Sequence, residues 1–495
     1  MISSDRTAVA LSVLDIAGSP ELMVHSCEDC ACPVSTSGHQ AKVLPQLPAG
    51  RLVKTDGVLE LSLDDDHTVL FGPFGNGGVV VVNSAAYSIF DQLACPASLD
   101  DLVTAGFAAN EATEVIRRLY AHDIVGQVGV PPVPEFGRSE QLVAWLHVTN
   151  NCNLKCPYCY VHKSPESMTR DVARESVEAL VGSAVRNGFR ELRLKYAGGE
   201  ASLNAGVVIE LHDYALARCA AAGLGLSAVL LSNGVAIRDD FARQLADRDI
   251  RVMISLDGIG AAHDAQRPTL GGKPSSAMVM RTIDSLIAVG VSPHISITIT
   301  GRNVAAVAPV VRFALERELT FSFNFFRDNE CASTFADLQY EEKAMVAGIR
   351  DAFAVIEEFL PRWSVLGSVL DRGQLLEPRS RSCGVGEDYV VIDQHGNIAK
   401  CHMEIGDTVG DIRTTDPVTA IRNNSVGIRN LLVEDKAGCR DCTWRNWCSG
   451  GCAAATFRAT GRFDVQSPNC NIYRAIYPDA VRLEGLRVLR YANTG

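Results

Sequence analysis

Short runs of apolar residues recur along the middle of the chain and alternate with longer stretches of helical periodicity. Six apolar runs begin near Leu142, Glu191, Ala228, Arg251, His294 and Thr320. Helical spacing is found between them at Arg170–Asn187, Ala205–Ala222, Ser276–Val289 and Val304–Glu318. Because alternating strands and helices form parallel sheets with right-handed crossovers, the pattern predicts an α/β domain. Six units are too few for a closed eight-stranded barrel, so we expect a partial, TIM-like (β/α)6 barrel with active residues at the carboxyl ends of its strands.

A different pattern precedes this region and predicts a separate small module. Three short strands bounded by Gly and Asp turns are followed by three helices, the first with Asn83 and Ser84 as candidate caps. The strands are expected at Val58–Leu63, His67–Phe71 and Gly78–Asn83, and the helices at Ser84–Gln92, Leu99–Ala105 and Asn110–His122. A proline-rich stretch at 131–134 then predicts a stiff linker.

The two ends of the chain lack this regular alternation. Residues 1–50 have weak periodicity and contain Cys27, Cys30 and Cys32 among Ser, Gly and Pro, so we expect partial disorder there. The alternation stops near residue 366, and seven cysteines then fall within 88 positions. Four segments are therefore predicted, at 1–50, 51–130, 131–365 and 366–495.

Composition narrows the class of protein. Of the 495 residues, 47% are hydrophobic and 21% charged, which is typical of a globular protein with a sizeable core. The net charge of −12 argues against a nucleic-acid or anionic-membrane partner, and no apolar stretch reaches transmembrane length. The start of the chain lacks the pattern of a secretion signal. Sixteen cysteines in such a chain suit metal ligands better than disulfides, and we expect a cytoplasmic, oxygen-sensitive protein.

Three thiols follow the first apolar run of the barrel, at Cys152, Cys156 and Cys159. Clusters that only carry electrons are closed by four thiolates. Three cysteines would leave one iron of a four-iron cluster open, and that iron could bind and activate another molecule. A zinc site and a buried apolar group of cysteines are the alternatives, although no fourth zinc ligand is evident beyond the flanking His147 and His162.

The residues around these thiols, 149–160, resemble the cluster loop of the radical S-adenosylmethionine (AdoMet) superfamily almost residue for residue. In that family the open iron binds the amino and carboxyl groups of AdoMet. Cleavage of AdoMet then yields a 5'-deoxyadenosyl radical, which abstracts a hydrogen atom. The resemblance implies the partial-barrel fold, an AdoMet site and a four-iron cluster on Cys152, Cys156 and Cys159.

Polar residues at the ends of the next strands are candidates for binding AdoMet. The second strand ends in Gly-Gly-Glu, where glycines let the backbone approach a ligand and a carboxylate can hold an ammonium group. This sequence and the next two strand ends match family patterns, and Thr298 or Thr300 is a candidate at the fifth. The expected AdoMet residues are Tyr158, Gly198, Gly199, Glu200, Ser232, Asn233, Ser255 and Thr298. Asp257 and Arg267 resemble family positions too, but each is more often a helix cap or a surface ion-pair partner.

The second set of cysteines has a specific order, namely Cys383, Cys401, Cys439, Cys442, Cys448, Cys452 and Cys470. It resembles the seven-cysteine SPASM extension of radical AdoMet enzymes, which holds two auxiliary four-iron clusters. For Cys439 and Cys442 alone, a zinc ribbon is the alternative. The resemblance implies one cluster on Cys439, Cys442, Cys448 and Cys470 and another on Cys383, Cys401 and Cys452, which makes three [4Fe-4S] clusters in the chain.

The last of these sites has only three cysteines, because Glu377 stands where some relatives have an eighth. We expect an open iron there, which binds a substrate thiolate or amide or is capped by another residue such as Cys331. The Cys27, Cys30 and Cys32 group is a candidate for a metal or for such a cap. Cys95 and Cys219 lie in apolar helical contexts and are expected in the core: neither is a candidate ligand.

The N-terminal module has a looser likeness, carried by residues 82–90 and 123–126. Three strands followed by three helices resemble the winged-helix peptide-recognition module of enzymes that modify ribosomally made peptides. In that family the leader of the precursor peptide pairs with an exposed strand edge. A structural winged helix without a ligand is the alternative.

Together the resemblances imply a radical AdoMet peptide maturase. The expected reaction abstracts hydrogen from a ribosomal precursor peptide and forms an intrapeptide thioether or carbon–carbon crosslink with net oxidation. The expected partners are the precursor, with its leader bound by residues 51–130, and an electron donor such as flavodoxin or ferredoxin. Neither nucleic acid nor membrane is an expected partner.

Two other functions are the alternatives. An anaerobic sulfatase-maturing enzyme has an aspartate base directly after the cysteine equivalent to Cys401, whereas His402 stands here and becomes the candidate base. A non-catalytic iron–sulfur carrier or peptide-binding scaffold is the second alternative, which the intact three-cysteine loop and Gly-Gly-Glu sequence argue against.

Overall fold

The computed structural model describes residues 13–15, 23–24 and 44–492, so Cys27, Cys30 and Cys32 lie outside the described residues. The first elements are strands β1 (Val13–Asp15), β2 (Met23–Val24), β3 (Leu52–Lys54), β4 (Leu59–Ser62), β5 (His67–Phe71), β6 (Val79–Asn83) and β7 (Val125–Gln127), with helices α1 (Ser84–Gln92), α2 (Leu99–Thr104) and α3 (Ala109–Ala121). Strands β4–β6 and all three helices occur within about two residues of their predicted bounds.

The antiparallel sheet of this module has the order β1-β6-β5-β4, and β3 pairs separately with β7. Asn83 caps α1, as expected, by accepting a hydrogen bond from the backbone N–H of Ala86 at 3.0 Å. The two faces of the sheet have different partners. Leu70 and Val80 pack into the module's own core, whereas Val69 and Phe71 belong to the large core that it shares with the rest of the chain.

The barrel follows as strands β8 (Gln141–Thr149), β9 (Glu191–Gly198), β10 (Gly225–Ser232), β11 (Arg251–Ser255), β12 (His294–Ile299) and β13 (Phe321–Phe325). These six strands are adjacent in chain order and every neighbouring pair is parallel, so the partial (β/α)6 barrel is confirmed. The helices between them are α4 (Arg170–Arg186), α5 (Ala205–Ala222), α6 (Asp239–Ala246), α7 (Ala261–Gln266), α8 (Ser276–Ala288) and α9 (Val307–Leu315).

The helix expected at Val304–Glu318 is shorter in the structure. A 3-10 turn at Val304–Ala306 precedes α9, and Pro309 falls in the first turn of α9. A proline fits best in the first turn of a helix because it lacks an N–H, which explains why the α-helix begins so close to it.

The remaining elements are α10 (Glu342–Phe359), β14 (Trp363–Ser364), β15 (Tyr389–Ile392), β16 (Asn397–Ala399), β17 (Thr408–Asp411), α11 (Pro417–Asn423), α12 (Arg445–Cys448), α13 (Ala453–Thr460) and α14 (Cys470–Ala492). Strand β15 pairs in parallel with β8, and β16 and β17 continue antiparallel, so the barrel sheet has nine strands. The cysteine-rich segment therefore extends the barrel sheet, which the loss of alternation after residue 366 did not predict.

The cysteine-rich segment also packs on the N-terminal module. The ring of Phe71 lies 4.9 Å from Trp447 and 5.7 Å from Trp444, and the indole N–H of Trp447 donates to Pro73 O at 2.8 Å. Among the other cysteines, Cys219 is buried as expected, but Cys95 is exposed and its expected core position is wrong. No helix in the part of the chain that the structure describes is long and apolar enough to cross a membrane.

Candidate active site

A cavity of about 230 Å³ opens where the barrel strands end. Because the carboxyl ends of parallel strands meet at one edge of a sheet, the predicted side chains converge there. The three cluster-loop cysteines line the cavity together with all of the expected AdoMet residues, namely Tyr158, Gly198, Gly199, Glu200, Ser232, Asn233, Ser255 and Thr298. Thr300 does not line it and bonds instead to Gln266 and Asn303.

The cluster loop is held between two strand ends and a distant turn. The backbone N–H of Lys155 donates to Pro268 O at 2.8 Å, and that of Leu270 donates to Asn153 O at 3.0 Å. Burial raises the pKa of the Cys152 thiol and raises the pKa of Cys156 to about 12. Such thiols stay protonated unless a cation takes up the thiolate charge, and a bound metal centre would supply that cation.

Gly198 and Gly199 are required by the loop that packs on them. A Cβ atom on Gly198 would lie 2.2 Å from Thr149 O, and one on Gly199 would lie 2.4 Å from Asn151 O. The backbone N–H groups of Gly199 and Glu200 donate to the same two carbonyls, each at 2.8 Å. The two glycines thus allow the cluster loop to pack directly against the end of β9. From the sequence, they were expected to let the backbone approach a ligand.

Glu200 is buried and rigidly held. Its carboxylate accepts hydrogen bonds from the Ser232 hydroxyl at 2.7 Å and from the Asn233 backbone N–H at 2.6 Å. The Asn233 side chain in turn donates to Asn153 Oδ1 at 2.7 Å and lies 3.8 Å from the Cys152 sulfur. Two predicted AdoMet residues therefore also fix the carboxylate and the cluster loop relative to each other.

A second buried hydrogen-bond network joins Tyr158, Asp257 and Arg267. From the sequence, the last two were expected to be helix caps or surface ion-pair partners. The Tyr158 hydroxyl donates to Asp257 and accepts from Arg267, and the Arg267 guanidinium lies 3.2 Å from the same carboxylate. Asp257 also accepts from the backbone N–H of Thr298 at 2.8 Å. Asp257 and Arg267 are thus neither surface partners nor simple caps. The sequence signals were the strand-end pattern that contains Asp257 and the downstream family pattern that contains Arg267.

His402 lines the cavity and is almost fully buried. Its ring stacks on Trp145 with centroids 4.5 Å apart, and its Nδ1 lies 2.9 Å from the Tyr389 hydroxyl. Burial lowers the pKa of His402 well below its usual range, and the nearby Arg372 and Arg327 lower it further. The imidazole is therefore neutral at physiological pH, and its assignment as the base stays a prediction.

Among the seven C-terminal cysteines, the thiolate charges raise the pKa of neighbouring thiols within two separate groups. Burial raises the pKa of Cys401 to about 12, and the charges of Cys452 and Cys383 contribute. In the other group, burial raises the pKa of Cys439 to about 11 with contributions from Cys470 and Cys442, and the pKa of Cys448 to about 12 with contributions from Cys439 and Cys470. These are the two sets that the resemblance implies, although their role as ligands remains a prediction.

Cys452 differs from the other buried thiols. Burial by itself would raise its pKa, but the charges of Arg327 and Arg372 outweigh burial and leave the pKa below its usual value. Arg327 forms a buried ion pair with Asp371 at 2.6 Å. Both arginines also line the central cavity, so they stand between it and the three-cysteine site. Neither was identified in the sequence.

Cys331 lies beside the first cluster loop. Its sulfur is 3.7 Å from the His162 ring and 3.9 Å from Tyr160 O, and its pKa, raised first by burial, is raised next by the charge of Cys159. The structure therefore places Cys331 near Cys159, which does not support the suggestion that it caps the Cys383 site.

The donor sets fit iron–sulfur clusters. The cysteines of the described part of the chain form no disulfide, and soft thiolates suit such clusters. Within the same residues, no three His, Cys, Asp or Glu side chains are close enough to hold a single metal ion.

Comparison with known proteins supports this fold and cofactor class. Residues 146–314 match the model of the Radical SAM superfamily. The chain is 27% identical over 345 residues to the mycofactocin maturase MftC of Mycobacterium ulcerans, which covers 68% of this chain and 89% of that protein. It is 23% identical over 337 residues to a cysteine-type anaerobic sulfatase-maturating enzyme of Clostridium perfringens, with coverage of 61% and 86%.

A solved structure, native anSMEcpe with bound AdoMet and Cp18Cys peptide, superposes with a TM-score of 0.56. The match covers 71% of this chain and 99% of that chain at 18% sequence identity, so it shows a shared fold.

Proposed function

We propose that this chain, whose residues 146–314 carry a radical SAM domain, is a peptide maturase that forms an intrapeptide thioether or carbon–carbon crosslink in a ribosomally made precursor. The observation that carries the proposal is the composition of one cavity. The cluster-loop cysteines and AdoMet residues form one side, and Arg327, Arg372 and His402 form the side next to the second thiol group. A substrate side chain in the cavity would lie between the two. The maturases among the relatives support a peptide substrate.

The chain's own residues would bind and orient the cofactors. When bound, AdoMet and its cluster supply a 5'-deoxyadenosyl radical, and the two auxiliary clusters supply acceptors for one electron. Glu200 presents a fixed carboxylate for an ammonium group, because its oxygens are already oriented by Ser232 and Asn233. An external donor such as flavodoxin or ferredoxin would deliver electrons.

Crosslinking with net oxidation also requires a proton acceptor, for which His402 is the candidate. The base role requires the tautomer in which Nδ1–H donates to the Tyr389 oxygen, because Nε2 then carries the lone pair that faces away from Tyr389. The low pKa of His402 keeps the imidazole neutral, so its lone pair is available to accept a proton.

The leader of the precursor is proposed to bind residues 51–130 at the β6 edge of the antiparallel sheet. This edge already pairs with an extended segment of the same chain, in the register Val13 with Val82 and Asp15 with Val80. Arg118 of α3 donates to Val13 O at 3.1 Å, so the groove between β6 and α3 accepts an extended peptide. A three-residue strand pairs weakly, and a longer leader could replace it.

Removal of residues 1–24 tests this site. The truncated chain should bind a labelled synthetic peptide of residues 8–19 in trans, whereas the full chain should not, because its own β1 fills the groove. Arg118→Ala in the truncated chain should weaken the binding, and exposed Arg462→Ala serves as the matched control. Equal binding to full and truncated chains would show that the β6 edge is not the site.

The reaction is tested by co-expression with short open reading frames adjacent to the gene, followed by mass spectrometry. A crosslinked product loses two hydrogen atoms and does not react with an aldehyde probe. The Cys152→Ala, Cys156→Ala, Cys159→Ala variant should leave the peptide unmodified, and the variant at exposed Cys95 should behave as wild type. An aldehyde product would favour the sulfatase-maturing alternative, and absence of 5'-deoxyadenosine from reconstituted protein would favour a carrier or scaffold.

A further inference from the structure

One of the three guanidinium groups that line the central cavity lacks a counter-charge within the described part of the chain. Arg267 pairs with Asp257, and Arg327 pairs with Asp371. The guanidinium of Arg372, by contrast, has neither a hydrogen-bond acceptor nor a carboxylate partner among the residues that the structure describes, although the residue is only 7% exposed. A buried unpaired charge is costly, so an anion is expected beside it.

The backbone around Arg372 is built to place it there. Asp371 adopts a left-handed conformation, with φ of 52°, that non-glycine residues rarely adopt. Its carboxylate stabilises the turn by accepting from the Phe325 N–H at 3.0 Å, from Arg327 at 2.6 Å and from the Tyr473 hydroxyl at 2.7 Å. This turn directs Arg372 into the cavity, beside the three-cysteine site.

We propose that Arg372 is the electrostatic partner of the group held by Cys383, Cys401 and Cys452, and that its charge raises the reduction potential of that group. The inference rests on the auxiliary site of the proposed function. The Arg379 side chain donates to Arg372 O at 2.8 Å and to Ser382 O at 3.1 Å, which places Arg372 next to Cys383. The charge of Arg372 acts on the pKa of Cys383, Cys401 and Cys452, whereas it is not among the main influences on Cys439, Cys448 or Cys470.

The sign follows from charge. A four-iron core of charge +2 with three thiolates has a net charge of −1, and reduction makes it more negative. A fixed positive charge in a low-dielectric site stabilises the more negative state, so it favours reduction. Arg372 thus favours the reduced state of this site.

The test is a redox titration of the reconstituted full chain without peptide, followed by electron paramagnetic resonance. The signal that Cys383→Ala removes identifies the site. Arg372→Gln should shift its reduction equilibrium at least tenfold towards the oxidised form, which is about 59 mV for one electron. Arg372→Lys should keep most of the wild-type potential. The matched control is Arg462→Gln, which removes a charge from an exposed pair with Asp464 and should shift nothing.

An unchanged potential in Arg372→Gln, or an equal shift in Arg462→Gln, overturns the proposal. If Arg372→Gln loses the iron of this site and Arg372→Lys keeps it at the wild-type potential, the charge is again required and the proposal stands. Because no peptide is present in the titration, the result is independent of whether the chain crosslinks peptides.

Discussion

Replacement of Gly199 by alanine should displace the cluster loop. The added Cβ would lie 2.4 Å from Asn151 O and 2.7 Å from Asn150 O, whereas real Cβ atoms essentially never come within 3.0 Å of such an atom. The loop must therefore move by at least the difference of 0.6 Å between 3.0 and 2.4 Å. The atoms in the way are backbone atoms, which cannot rotate aside as the end of a side chain can.

The energetic penalty combines two effects. Overpacking of this kind typically costs about 1–3 kcal/mol. The hydrogen bonds from Gly199 N to Thr149 O and from Glu200 N to Asn151 O, both 2.8 Å, would lengthen, and each is worth about 1 kcal/mol. A total of about 2–4 kcal/mol would fall on the loop that carries the three thiols, enough to lower AdoMet affinity more than tenfold, since tenfold is about 1.4 kcal/mol.

The assay is iron content per chain together with AdoMet binding to the reconstituted protein. Gly199→Ala should lose the iron of the first cluster while the auxiliary sites keep theirs. Gly206→Ala is the matched control, because no atom lies within 4 Å of its added Cβ and alanine is favoured in α5. If Gly199→Ala keeps its full iron content and binds AdoMet within twofold of wild type, the steric argument is wrong.

Two further substitutions test other parts of the site. Tyr158→Phe removes the hydroxyl that links Asp257 and Arg267, so the free energy of unfolding, measured by thermal unfolding, should fall by about 1–3 kcal/mol. AdoMet affinity should fall while iron content is kept. Unchanged stability would contradict the role of this network. Burial raises the pKa of Asp388 to about 7, so the folded state holds a proton that the unfolded state has released above the ordinary aspartate pKa of 3.8. Stability should therefore fall as pH rises between these values, and Asp388→Asn should remove that fall; urea titrations from pH 4 to pH 8 that show parallel curves would refute this.

Much of the fold could be predicted because its signals are local. Each barrel strand is an apolar run followed by a helix, and parallel strands bring their carboxyl ends to one edge. That is why Gly198, Glu200, Ser232 and Ser255, far apart in sequence, could be expected at one edge of the sheet, although their choice as AdoMet residues rested on the family resemblance of the strand ends. The cluster loop carries its own spacing, so its cysteines could be identified without knowledge of the packing.

The sequence by itself therefore determined the order of elements, the cluster loop and the candidate AdoMet residues. Only the tertiary structure decided that β1 pairs with β6 and that β15–β17 extend the barrel, because strands of three or four residues carry no periodicity. It also decided the surroundings of Arg267, Arg327 and Arg372. In a sequence, charged residues look like surface residues, and only long-range packing shows which of them are buried beside a thiol or a carboxylate.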